Sequence, residues 1–278
     1  MSLFTVDDAK CDRCGICLEE CPFYLLEIAA RDAVPTPVEV LADERCINCG
    51  HCMAVCPNDA LMLKEQAPED FALILPQLKT SREQVTQLLM ARRTVRSYEN
   101  RTVPLETIAE LIRVACHAPS GHNNQMAQWF VISDRSQIKQ LGQTVIDWMK
   151  SLLETNPLFG RMLDADIIID YWEKGVDTVF RGAPHVIIIH GPASFKDLPA
   201  IRTQLHIRLA YFDLIANSFG LGTVWGGYFM AAYEAWPPAH EAIGLPEGNC
   251  AYDCMAFGYP KNQFRRIPVR NEPQITWR

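Results

Sequence analysis

Apolar residues recur at helical spacing in some stretches of the chain and run continuously in others, and the contrast separates helices from strands. Residues 81–90 read as an amphipathic helix with Ser81 as its N-cap. Pro104 opens a second helix, with Leu105, Ile108, Leu111, Ile112 and Ala115 on one face, and Ala118-Pro119-Ser120-Gly121 ends it. A longer helix over 201–219 carries Leu205, Leu209, Phe212, Ile215 and Ala216 and stops at Gly220. Trp129-Phe130-Val131-Ile132 and His185-Val186-Ile187-Ile188-Ile189 read as buried strands. Residues 221–227 form a short strand whose glycines let something flat approach the backbone. Apolar strands among helices imply a mixed α/β layer architecture.

Between 141 and 180, Trp148, Phe159, Tyr171 and Trp172 are interleaved with acids, which fits a helical cap over a pocket and an ordinary helical excursion equally well. The tail, 257–278, has little core-like pattern and suits a segment that wraps a neighbouring subunit. Near the N-terminus the apolar runs are short. Residues 24–28 and 38–40 read as small hairpin strands, and 58–63 repeats the arrangement. The pattern then breaks up around Pro68 and Pro76. The expected division is a small domain over 1–66, a linker over 67–80 and a large domain over 81–278, with 141–180 as a candidate cap.

At 278 residues the chain is long enough for one small and one large core. The formal net charge of −7 and the lack of a basic tract argue against nucleic acid as the main partner. The first eight residues lack a basic and apolar leader, and no apolar run reaches the length of a membrane span. A cytoplasmic protein is expected, in a compartment that keeps thiols reduced.

The cysteines change the picture most. Cys11, Cys14, Cys17 and Cys21 precede Pro22, and Cys46, Cys49, Cys52 and Cys56 precede Pro57. Each run reads C-x2-C-x2-C-x3-C-P, which wraps three thiolates round one cubane cluster and sends the fourth to its neighbour. The offset of 35 residues is constant, so one unit is duplicated. Two [4Fe–4S] clusters are expected: Cys11, Cys14, Cys17 and Cys56 would hold one, and Cys46, Cys49, Cys52 and Cys21 the other. Zinc ribbons usually pair two C-x2-C knuckles instead. The segment resembles the bacterial two-cluster ferredoxins. Cys116, Cys250 and Cys254 fall outside the pattern and read as small buried hydrophobes.

Clusters deliver electrons singly, and a flavin that accepts one and donates two would complete such a chain. Arg92-Arg93-Thr94-Val95-Arg96 offers guanidinium forks and a hydroxyl suited to a flavin phosphate, although a basic helix end alone is usually a solvated cap. Three further motifs follow in order: Pro119, Ser120, Asn123 and Gln125; Gly220, Gly222, Thr223, Gly226 and Gly227; and Gly258, Tyr259, Pro260 with Arg266 and Pro268. Ala183-Pro184-His185 precedes the isoleucine run. In these landmarks residues 81–278 resemble the FMN-dependent nitroreductase family, and the expected fold is α+β: a two-cluster ferredoxin-like domain followed by a nitroreductase-like α/β FMN domain.

The resemblance implies that Arg92, Thr94 and Arg266 hold the FMN phosphate, with Arg93 and Arg265 as weaker candidates. Arg96 would lie near the N1/O2 edge and stabilise the anionic reduced flavin. Pro119, Ser120 and Asn123 would reach the FMN across a homodimer interface, with Gln125 in the same landmark. Gly226 and Gly227 would pass their backbone close to the ring. Met126-Ala127 stands where the family usually has Pro-Trp, a departure that bears on the shape of the pocket and so on the substrate. His122, His185 and His190 read as structural, and no catalytic residue is predicted. The implied activity is an oxidoreductase with ferredoxin or NAD(P)H as donor, acting on a nitroaromatic, quinone or activated alkene. Two other readings stand beside it: an NAD(P)H-reduced flavoprotein that sends electrons outward to a partner protein, and a non-catalytic redox sensor.

Overall fold

The 35-residue repeat of the cysteine segment reappears as a repeat of backbone conformation. The computed structural model describes residues 3–38, 42–63 and 66–278, and it divides into one unit of Met1–Lys79 with His122–Asn124 and a second of Thr80–Gly121 with Gln125–Arg278. The first unit contains β1 (Phe4–Val6), α1 (Ile16–Glu19), β2 (Leu26–Glu27), β3 (Thr36–Pro37), α2 (Ala42–Arg45), α3 (His51–Ala54) and β4 (Leu61–Leu63). β1 pairs antiparallel with β4, and β2 with β3. Left-handed residues come in pairs 35 apart: Arg13 and Asn48, Gly15 and Gly50, Tyr24 and Asp59. Gly15 and Gly50 start the matching turns α1 and α3 at φ 77° and 72°, where a side chain would be strained. Leu3, Phe4, Cys17, Leu26, Met53, Leu61 and Leu63 form a small core.

The hairpin expected over 24–28 and 38–40 is built from Leu26–Glu27 and Thr36–Pro37. Its second arm thus comes earlier in the chain, and residues 39 and 40 lie outside the described residues. The partner of β4 is the N-terminal strand β1, too short to show alternation in the sequence. Residues 67–80 hold two 3-10 turns, Pro68–Asp70 and Pro76–Leu78, and Phe71 packs against the first unit's core.

The second unit comprises α4 (Arg82–Ala91), α5 (Leu105–Ala115), β5 (Gln128–Ile132), α6 (Arg135–Thr155), α7 (Pro157–Met162), α8 (Ala165–Glu173), β6 (His185–Pro192), α9 (Pro199–Ser218), β7 (Gly222–Trp225), α10 (Gly227–Ala235), α11 (Pro237–Ile243) and β8 (Asn249–Gly258). Ser81 caps α4 as its sequence suggests: the Gln84 N–H donates to Ser81 Oγ at 3.2 Å, and the Ser81 N–H to Gln84 Oε1 at 2.8 Å. The sheet runs β5-β6-β8-β7 and is antiparallel throughout.

Both faces of that sheet are covered, which explains the unbroken apolar run of β6. Val186 and Ile188 join a core with α6, α8, α10 and α11, while Ile187 and Ile189 join another with α5 and α9. Each fully buried isoleucine contributes roughly 1.5–3 kcal/mol. Of the two readings of 141–180, α6 is part of the layer on the sheet, with Val145, Ile146, Trp148 and Met149 buried. β8 was not anticipated, because Asn249 and Asp253 interrupt its apolar pattern. Residues 261–278 have no regular structure and are exposed.

Candidate functional site

In the first unit, Cys11, Cys14, Cys17 and Cys56 line one cavity, with Val6, Pro35 and Leu61 as its apolar walls. The fourth member comes from the other half of the duplication, as the spacing predicts. Burial, and then the neighbouring Cys14, Cys56 and Cys11, push the Cys17 thiol up to about 11. Burial, then Cys49 and Cys46, do the same for Cys52. These thiols resist ionising together, a penalty that bound cations relieve. Among the described residues no group of three Cys, His, Asp or Glu is arranged to hold a single metal ion. Cys11, Cys14, Cys17 and Cys56 instead surround a space, which suits a polynuclear cluster.

The duplication extends to hydrogen bonds at sulfur. The Leu25 N–H donates to Cys21 Sγ at 3.4 Å and the Ala60 N–H to Cys56 Sγ at 3.3 Å, again 35 residues apart. Such donors favour added negative charge on a cluster. Of the eight motif cysteines only Cys14 is exposed.

In the second unit, three of the four sequence landmarks meet. Thr94 bridges Thr223 in parallel, the Val95 N–H donates to Thr223 O at 2.9 Å, and Tyr98 bridges Pro260. The Glu99 N–H adds a bond to Tyr259 O at 2.8 Å. Residues 94–99 are therefore held between β7 and the chain after β8. A cavity of about 300 Å³ lies beside this junction, lined by Arg92, Arg93, Asp213, Asn217, Thr223 and Phe264 among others. Arg265 and Arg266 line an adjoining cavity with Gln87 and Ala91. Arg96 is exposed.

Arg92 Nη1 is buried without a hydrogen-bond partner and faces Asp213 Oδ2 at 3.4 Å. Thr223 Oγ1 donates to the other Asp213 oxygen. An arginine that lines a cavity, with its charge fixed by a buried carboxylate, is suited to an anionic group such as a flavin phosphate. Burial, reinforced by Asp213 and opposed by Arg96, raises the pKa of the neighbouring Tyr98. That phenol stays neutral and donates to Val95 O at 3.1 Å. Asp213 had no sequence signal, since it occupies one position in an otherwise apolar stretch of α9.

The glycines of the third landmark answer first to internal packing. A Cβ at Gly222 would overlap Val95, and one at Gly226 would overlap Cys254 Sγ, whereas Gly227 faces open space. Cys254 is fully buried, and burial holds its thiol well above the usual range.

The second landmark lies elsewhere on the chain. Ser120 Oγ accepts from the Gln125 N–H at 3.3 Å, and the Gly121 N–H donates to Gln204 Oε1 at 2.7 Å. Gln204 precedes Asp213 by nine residues of α9, about 14 Å along the axis. Arg208 Nη2, one turn further along, donates to Ala118 O at 3.5 Å, so the loop over 118–121 follows α9 from Arg208 to Gln204. Asn123, of the same landmark, donates to Ile47 O and Asn48 O in the first unit. A cavity of about 570 Å³ between α6 and residues 172–183 is lined by Ala183 but by none of the residues expected to bind FMN.

Comparison with known proteins matches residues 89–259 to the nitroreductase family and residues 10–70 to a 4Fe-4S dicluster domain. A protein of Archaeoglobus fulgidus, provisionally named as an NADH dehydrogenase/NAD(P)H nitroreductase, is 24% identical over 183 residues, covering 65% of this chain and 88% of the relative. An iodotyrosine deiodinase of Nematostella vectensis is 26% identical over 193 residues, covering 66% and 70%. Among solved structures, a nitroreductase of Desulfitobacterium hafniense with bound FMN superposes at a TM-score of 0.56 and 17% identity, covering 69% of this chain and 96% of that one. No helix among the described residues is long and apolar enough to cross a membrane.

Proposed function

The chain belongs to the nitroreductase family and carries a 4Fe-4S dicluster domain ahead of it, and on that footing we propose that it is an iron–sulfur flavoprotein oxidoreductase. It takes electrons from a low-potential donor such as ferredoxin through two [4Fe–4S] clusters to FMN, and delivers them to a nitroaromatic, quinone or activated alkene. The observation that carries this reading is the meeting of Cys11, Cys14, Cys17 and Cys56 round one cavity, in a chain whose other unit has a flavoprotein fold. Bound clusters would supply one-electron transfer and bound FMN the conversion to two-electron delivery.

The remaining work falls to the chain's own groups. Arg92, backed by Asp213, would bind the FMN phosphate together with Thr94 and Arg266, and Arg93 and Arg265 line the adjoining cavities. Arg96, exposed beside this segment, would place a positive charge at the N1/O2 edge. Gly227, open to space, would allow close approach of the ring, with Gly226 setting the turn. Pro119, Ser120 and Gln125, in the loop beside Gln204 and Arg208 of α9, would reach the FMN of a partner subunit in a homodimer. The exposed tail, with Val269 and Trp277 open to solvent, supports the same assembly.

The name of the Archaeoglobus relative favours a second reading, in which NAD(P)H reduces the flavin and electrons leave through the clusters. Anaerobically purified protein should contain iron, acid-labile sulfide and FMN, and should turn over a nitroaromatic or quinone. Protein lacking either cofactor overturns the proposal. Full cofactor content with no acceptor turned over favours a sensor.

A further inference from the structure

The duplicated cysteine loops differ at one matched position. In the first loop Arg13 is its own staple: Nη1 donates to Cys11 O at 2.6 Å, Nε to Asp32 O at 3.2 Å, and Nη2 pairs with Asp8. The matching residue 35 positions later is Asn48, left-handed like Arg13. Its short side chain makes no equivalent bond, and Asn48 Oδ1 is buried without a partner.

The second loop is held from a distance in sequence. Asn123 Nδ2 donates to Asn48 O at 2.9 Å and to Ile47 O at 3.2 Å. Beside it the His122 ring stacks on Phe23, with centroids 5.9 Å apart and planes at 26°. Phe23 follows Cys21-Pro22, so residues 122–123 touch both stretches that carry the second set of four cysteines. His122 and Asn123 have φ of 53° and 51°, a left-handed conformation that persists where its surroundings fix it.

We propose that Asn123 is a positioning residue for the second [4Fe–4S] cluster: its amide ties down the Ile47 and Asn48 carbonyls and so holds Cys46 and Cys49 in place, the work Arg13 does in the first loop. This rests on the two-cluster reading and assigns Asn123 to the ferredoxin-like unit.

The test uses the full-length holoprotein prepared anaerobically, with Asn123→Leu, which lacks a donor, Asn123→Gln, which keeps one, and Arg13→Leu as the mirror change. Iron release to a chelator, the EPR spectrum after dithionite reduction and FMN content are measured for each. Loss of both hydrogen bonds predicts that about half of the iron leaves Asn123→Leu at least about tenfold faster. The coupled two-cluster EPR signal should simplify to that of one cluster, with FMN retained and Asn123→Gln partly restored. Arg13→Leu should release the other half. Unchanged iron kinetics, loss of FMN alone, or parallel loss of iron and FMN each overturn the proposal. Wild-type protein without iron and sulfide would instead sink the cluster reading itself.

Discussion

Asp213 and Arg92 illustrate what a single residue contributes. The carboxylate is 6% exposed and bonded to Thr223, so it fixes the guanidinium that borders the 300 Å³ cavity. Asp213→Asn should loosen Arg92 and lower FMN occupancy roughly five- to tenfold, as losing one charge-assisted contact does; flavin-to-protein ratio after gel filtration checks it, and unchanged occupancy would remove Asp213 from the site. His185 is a second case. The Val103 N–H donates to its Nε2 at 2.8 Å and Ser133 Oγ lies 2.8 Å from its Nδ1, while burial, then Arg135, lowers its pKa from 6.5 to about 4. The unfolded chain takes up a proton in that window and the folded chain does not. Stability therefore declines as pH falls from 6.5 to 4, by on the order of 3 kcal/mol. His185→Gln should flatten that slope in denaturant titrations. Neither residue was legible as a partner in the sequence: Arg92 and Asp213 are 121 positions apart, and His185 looked structural only because it flanks an apolar run.

At the scale of elements, periodicity and capping carried the sequence reading where a face is continuous. α4 with its Ser81 cap, α5 after Pro104, α9 and the core of β6 all stand where the pattern places them. β8 failed because its polar residues find partners only in three dimensions: Asp253 pairs with His206 of α9 at 3.0 Å, and Cys254 fills the space left by Gly226. That fit is testable. Gly226→Ala should overpack the turn and cost about 1–3 kcal/mol. Cys254→Ala should recover part of the loss in the double mutant, as neighbours sharing one space do. Additive effects in thermal unfolding would show that the two do not share it.

For the whole molecule, the two cysteine runs declared the first unit and its internal symmetry, because a covalent spacing rule survives translation into structure. The association of residues 122–124 with that unit was not legible, since nothing in a flavin-type landmark marks it as a support for a cysteine loop. Charge is also uneven: residues 1–79 hold 14 Asp or Glu against 6 Lys or Arg, and the rest 19 against 20. Electron uptake from an anionic donor should therefore accelerate as ionic strength rises, and uptake from a cationic one should slow; stopped-flow rates across a salt series check the sign. The most direct measurement mixes anaerobic holoprotein with reduced ferredoxin, and separately with NADH and NADPH, while following the flavin's visible band in wild type and Cys14→Ala. Fast bleaching by ferredoxin in the wild type, lost in the variant, is the expected result for inward flow. Bleaching by a nicotinamide at equal speed in both proteins, with ferredoxin inert, would contradict it.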